Sequence, residues 1–176
     1  MGRGVAVLGA SGSAGGSVSM QAGAGRSRQG GDLSLVSGGS QDGDAGSVTI
    51  ASGSALGFGS SGPVVVQSGL ATSGSSGSVS ITSSDSAHGS SGTVSLLVGT
   101  GVDGDGGDAT IRAGHTKGRE SVGGSILLSA GDGLHGVGGA GGNAELHAGQ
   151  GSALAGGQVV ISSGTSEKTS SGSLLL

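Results

Sequence analysis

Three aspartates in one short stretch are the residues whose type and spacing most resemble those of a metal-binding site. Asp103, Asp105 and Asp108 are separated by glycines. Carboxylate oxygens on a tight turn are ligands that suit Ca²⁺. A calcium-binding repeat would carry such aspartates in most of its turns, but an equivalent turn earlier in the chain holds His88 with Gly and Ser instead. Solvated turn carboxylates are therefore the favoured interpretation, a calcium site is the alternative, and we expect no cofactor.

Histidine and serine form no catalytic constellation that the sequence singles out. His88 and His135 hold the same position in repeats that lie three apart, which is too far for a shared metal ion. His147 stands on a face predicted to point outward. Serine is so frequent that a Ser–His–Asp arrangement cannot be distinguished from chance. We therefore predict that the chain is not an enzyme.

The glycine-rich start of the chain superficially matches a dinucleotide-binding turn. That motif, here over residues 5–15, needs a helix next, because the helix N-terminus holds the pyrophosphate. The residues that follow, 16–20, read Gly-Ser-Val-Ser-Met and continue an alternating pattern instead. We interpret the match as a by-product of glycine repetition.

Composition excludes most conventional cores. Gly fills 45 and Ser 35 of the 176 positions, with one Phe, one Pro and no Trp, Tyr or Cys. An aromatic-centred core, a disulfide scaffold and a thiolate metal site are excluded. A helix bundle is excluded as well, because Gly costs about 1 kcal/mol per helical position. The formal net charge of −4 comes without any basic patch, so we expect no nucleic-acid partner. No apolar run approaches the roughly 20 residues of a membrane span.

The chain is built from tandem repeats of about 15 residues. Each repeat begins with a glycine, and the intervals between these glycines are 15, 15, 16, 15, 15, 15, 17, 18, 15 and 15 residues. The first glycines of repeats 1 to 11 are Gly16, Gly31, Gly46, Gly62, Gly77, Gly92, Gly107, Gly124, Gly142, Gly157 and Gly172. We predict an irregular first coil over 1–15 and one continuous repeat domain over 16–176, as part of a longer array or filament.

Two apolar columns run through the repeats. The third position is Val18, Leu33, Val48, Val64, Val79, Val94, Ala109, Ile126, Ala144, Val159 and Leu174. The fifth position is Met20, Leu35, Ile50, Val66, Ile81, Leu96, Ile111, Leu128, Leu146, Ile161 and Leu176. The seventh and tenth positions are mostly small, and the eighth is Gly in nine of ten repeats, with Ser84 as the exception. Alternation at positions three, five and seven is the period of a strand with one buried face.

A repeat this short cannot bury its own apolar face, but stacked repeats can. The pattern therefore predicts an all-β fold: a β-solenoid, or β-helix, of about ten 15-residue coils with flattened parallel sheets. In it the two apolar columns point inward, and the small tenth-position residues lie opposite them. A disordered low-complexity chain is the alternative, and the steady register of two columns over ten repeats disfavours it.

Extra residues interrupt the period at three places. One is added near residues 56–59, two around residues 119–122 and three around residues 134–140. Insertions in repeat proteins map to loops, so we expect bulges at these places.

Apolar residues outside the predicted core indicate contacts between copies. On the outward face these are Val65, Leu97, Leu127 and Val160, which we expect to pack against another subunit. At the two ends, the strand edges with Val5 and Val7 and with Leu174, Leu175 and Leu176 have no neighbouring repeat on one side. Leu174 and Leu176 end the two apolar columns, and Leu175 adds an apolar side chain on the opposite face. Uncapped strand edges are templates for another chain, and a head-to-tail contact does not close, so these ends predict a filament.

The Ser/Gly repeat is similar to that of a known group of proteins. The run from Gly77 to Gly92, with its Gly-Ser-Val-Ser-Ile and Ser-Ser-Gly elements, resembles the Ser/Gly-rich tandem-repeat proteins of heterokont algae such as diatoms. The resemblance covers nearly the whole chain, although repeats 7 to 9 have longer loops and fewer serines. It implies an extracellular or cell-surface location and no particular activity.

The leading hypothesis from these observations is a structural protein that assembles with copies of itself into an extracellular filament or appendage. The second is a binding module for ice or glycans that uses a flat, Ser/Thr-rich sheet face. Outward hydroxyls also allow O-linked glycans. An enzyme on a solenoid scaffold is the weakest hypothesis, because clustered Asp, Arg or Lys are missing.

Overall fold

The computed structural model describes residues 4–175, and within this range it contains no helix and no strand. Straight stretches of backbone alternate with short bends or turns, one for each repeat. The bends lie at 12–14, 26–28, 41–43, 57–59, 72–74, 87–89, 102–104, 118–120, 136–138, 152–154 and 167–169. Each lies in the second half of its repeat, so the sequence period is present in the structure as a period of loops.

The predicted β-solenoid, or β-helix, is therefore wrong. A parallel sheet needs a ladder of hydrogen bonds from each straight stretch to the next. Over residues 4–175 the backbone hydrogen bonds instead lie within loops. The physical reason is that the recurring backbone bond, present in six of the ten loops between repeats, joins the two ends of one loop. It is therefore local and does not join a straight stretch to its neighbour along its length.

The recurring hydrogen bond closes a loop between the eighth position of one repeat and the first glycine of the next. The Gly31 N–H donates to the Gly23 carbonyl at 2.9 Å, and the Gly46 N–H donates to the Gly38 carbonyl at 2.8 Å. The same bond closes loops 114–124, 131–142, 149–157 and 164–172, each at 2.9 Å. A shorter loop at the start of the chain is closed from Gly16 to the Ala10 carbonyl at 2.7 Å.

Loop closure explains why the seventh position is small. A Cβ placed on the first glycine of a repeat would lie 3.6 Å from the Ala22 Cβ at Gly31, and 3.3 Å from the Ala113 Cβ at Gly124. The seventh side chain thus sits directly against the next repeat's first glycine. Val98 is the one large residue at this position, and its γ-methyl would lie 3.0 Å from a Cβ on Gly107. Loop 99–107 lacks the closing bond, but so do loops 53–62, 69–77 and 84–92, whose seventh residues are serines, so the size of Val98 does not by itself explain the absence.

The tenth position faces the interior of its own loop, which corrects its predicted place opposite the apolar columns. A Cβ on Gly25 or Gly151 would collide with backbone carbonyls on the far side of the loop. In three of the four repeats whose tenth residue has a hydroxyl, that hydroxyl accepts a backbone N–H inside the loop; Ser86 is the exception. Ser40 accepts from Gly43 at 3.0 Å, Thr116 from Gly118 at 3.1 Å and Ser166 from Thr169 at 3.0 Å.

The two longer insertions lie inside closed loops, as the sequence predicts. Loop 114–124 holds the two added residues and loop 131–142 the three added ones. Each contains a left-handed residue, Glu120 at φ 57° and Gly138 at φ 84°. Glycine adopts this conformation freely, whereas a residue with a Cβ does so at a cost of roughly 1 kcal/mol. The insertions therefore change the turns and leave the first seven positions of each repeat intact.

No side chain among residues 4–175 is buried, so the predicted inward columns do not form a core. The only half-buried residues in this range are small ones of the seventh and tenth positions: Ala22, Ser37, Ser68, Ala71, Ala113 and Ala130. The large third-position side chains are exposed, with fractions from 46% at Val159 to 59% at Leu33. Fifth-position side chains are more exposed, as at Ile81 with 76%. Alternation keeps these residues on one side of a stretch, but without a sheet nothing lies over that side.

The contacts within the chain divide it into two groups, Met1–Ser84 and Asp85–Leu176. The division follows Ser84, the one eighth position that is not glycine. In both groups the repeats have the same basic plan, a straight stretch followed by a loop.

We expect Gly151→Ala to open loop 149–157, because the new methyl group would collide with the Leu154 carbonyl inside it. The amide temperature coefficient of Gly157, measured by NMR, should change from a hydrogen-bonded to a solvated value. Gly149→Ala is the matched control, since a Cβ there meets nothing within 4 Å. Equal coefficients in the two variants would contradict the loop geometry.

Candidate functional site

The three candidate calcium ligands lie on and just after a bend. Asp103 is in the bend 102–104, Asp105 follows it, and Asp108 stands at the start of the next straight stretch. All three are exposed. In the part of the chain that the structure describes, no group of three or more His, Cys, Asp or Glu side chains could hold a metal ion. The structure therefore does not bring these carboxylates together.

His135 belongs to the architecture of the longest loop. Its Nδ1 lies 2.8 Å from the Val137 carbonyl oxygen and 3.2 Å from the Val137 nitrogen. Its own carbonyl accepts the Gly139 N–H at 3.3 Å. The side chain thus bridges the turn 136–138 that the insertion creates, a role the sequence did not reveal. The insertion around residues 134–140 is the signal that marks the place.

One shallow groove lies where the two stretches flanking loop 131–142 come together. Its walls are apolar at Leu128 and Leu146, and Glu145 adds a carboxylate. The full lining is Leu128, Ser129, Ala130, Asn143, Ala144, Glu145 and Leu146. Beside the groove, the Glu145 Oε2 lies 3.2 Å from the His147 Nε2. Both side chains are exposed, so solvent screens this pair and it contributes little stability.

The residues predicted to join copies are accessible. Exposed fractions run from 49% at Leu174 to 94% at Val5 and Leu175, and Leu176 lies outside the described residues. The remaining members of this set, Val7, Val65, Leu97, Leu127 and Val160, lie between these limits. The outward residues, at 71–88%, are more exposed than the large third-position side chains, at 46–59%, but they overlap with the fifth-position side chains, at 55–81%. The feature that sets the third- and fifth-position side chains apart from these residues is that they recur in every repeat.

Charge is kept away from the straight stretches. Of the acidic and basic residues in the repeats, only Asp32, Asp108, Arg112 and Glu145 stand in the first seven positions. The other charged residues of the repeats lie in the loops; Arg26, Lys117 and Glu167 are examples. Loops are therefore solvated and carry the charge, whereas the stretches present apolar and hydroxyl side chains with few charges between them. This separation was not part of the sequence-based prediction, although the sequence contains it.

The glycine-rich start forms a loop and not a phosphate site. The short loop from Ala10 to Gly16 closes on itself, and no helix follows it within residues 4–175. Without a helix N-terminus the motif has no dipole to hold a pyrophosphate.

Comparison with known proteins adds no relative: no family model, no curated protein and no solved structure matches the chain. The described residues include no helix long and apolar enough to cross a membrane.

We expect Ca²⁺ to leave the chain unchanged, because the three aspartates are solvated and do not converge. The amide shifts of Asp103, Asp105 and Asp108 in NMR spectra should be the same with added Ca²⁺ and with chelator. A shift that saturates in the wild type and disappears in an Asp103→Asn/Asp105→Asn/Asp108→Asn variant would instead establish a calcium site.

Proposed function

We propose that the chain is a structural repeat protein that self-associates into an extracellular filament or surface appendage. One observation carries the proposal: no described side chain is buried, although large apolar residues recur in every repeat. A chain that leaves such residues in water has a strong tendency to cover them by association. Its partner is a copy of itself.

The extracellular location rests on the repeat's resemblance to the Ser/Gly-rich proteins of heterokont algae. The exposed Ser and Thr hydroxyls are accessible to O-linked glycans. We propose no enzymatic activity, because the sequence lacks the clustered Asp, Arg or Lys of enzymes built on repeat scaffolds.

An ice-binding role loses its main support. Ice recognition by this chain would require a flat sheet that presents hydroxyls at fixed spacing, and residues 4–175 contain no sheet. The hydroxyls of the fourth position, such as Ser80 and Thr110, are exposed but stand on stretches without a ladder to align them.

We expect the purified protein to lose monomer as its concentration rises, with large species visible in sedimentation velocity and elongated particles in electron micrographs. Because the association covers apolar side chains, added salt should not dissolve the particles and cooling should weaken them. A single monomeric species at all concentrations would overturn the proposed function. Dissolution by salt with persistence in the cold would point to charge pairing between loops instead.

A further inference from the structure

The accessible surface of the chain is far larger than that of a folded monomer. It amounts to 17667 Å² for a mass of 16.0 kDa. A folded monomeric protein of this mass exposes about 7,400 Å², and its unfolded chain about 23,000 Å². The excess over a folded monomer, about 10,000 Å², is several times the 1,200–2,000 Å² or so that a stable protein–protein interface buries. The chain therefore has enough accessible surface for extensive contact with other copies.

Two sets of apolar residues are candidates for the surface that contacts another copy. The first consists of the third- and fifth-position side chains, which recur in every repeat and which we call the apolar row. The second consists of the outward residues Val65, Leu97, Leu127 and Val160, each alone in its repeat. Side chains that recur in every repeat offer many chemically similar contacts, whereas isolated residues offer one each.

The apolar row is also the part of the repeat that the insertions spare. The added residues of repeats 7 and 8 lie inside loops 114–124 and 131–142, so the first seven positions keep their pattern. Most charges lie in the loops as well, which leaves few like charges to repel a second chain along the row. The row has the same chemistry in every copy and is therefore complementary to itself.

We infer that the apolar row is the docking surface for a second copy of this chain, which places its own apolar row against it. This inference rests on the proposed function and names the surface that performs it. Side chains of the third and fifth positions pack against the same positions of the partner chain, and the charged loops remain in water at the border. Because one repeat is chemically like the next, pairing offset by whole repeats leaves unpaired rows at both ends, and these bind further copies.

Adjacent residues in the same stretches make a matched test. The row variant carries Val64→Ser, Leu96→Ser, Leu128→Ser and Ile161→Ser. The outward variant carries the neighbouring changes Val65→Ser, Leu97→Ser, Leu127→Ser and Val160→Ser. Both remove four branched apolar side chains of similar size from repeats 4, 6, 8 and 10. Neither disturbs a core, because all eight residues are exposed.

Sedimentation velocity over a concentration series gives the concentration at which half of the protein has associated. We expect the row variant to raise this concentration by about tenfold or more, since four apolar groups are lost from the contact. The outward variant should change it by less than about threefold. An equal or larger effect of the outward variant would overturn the inference while leaving the proposed self-association in place. A wild-type chain that stays monomeric would overturn both.

Discussion

The hydrogen bond from the first glycine of a repeat to the eighth residue of the repeat before it is the interaction on which the local structure depends. In the six loops that it closes, two backbone segments come so close that the seventh side chain is small, as at Ala22, and the tenth residue is glycine, serine or threonine. The two loops with alanine at the tenth position, Ala55 and Ala71, lack the bond. A single bond of this kind contributes only about 1 kcal/mol in water. Repetition along the chain, and not the strength of any one closure, gives the protein its regularity.

Local closure has a consequence at larger scale. The backbone closes six of the ten loops between repeats on themselves and forms no ladder between stretches in residues 4–175, and without a ladder no sheet covers the apolar row. The row then stays in water, with Ile81 three-quarters exposed. The hydrophobic effect, which would ordinarily stabilise a monomer from within, instead favours contact between chains. The lack of a core and the proposed assembly therefore have the same physical origin, the absence of hydrogen bonds between stretches.

The separation of charge from apolar side chains adds a second level of organisation. Loops such as 114–124 hold Lys117, Arg119 and Glu120, whereas the stretch from Gly92 to Val98 holds no charge at all. Charged loops favour solubility, and uncharged stretches favour association. The same repeat can therefore keep its turns hydrated while its apolar row is covered by another copy.

The sequence by itself determined the repeat, its length, the location of the insertions and the small size of positions seven and ten. These features depend on residues near each other in the chain, where glycine and serine impose their preferences directly. It did not determine which face would be buried: alternation at Val79 and Ile81 indicates one apolar side, but not what covers that side. Only the tertiary structure decided that the tenth position faces its own loop and that the columns form no core. The reason is that burial depends on hydrogen bonds between distant stretches, and a local pattern does not specify their partners.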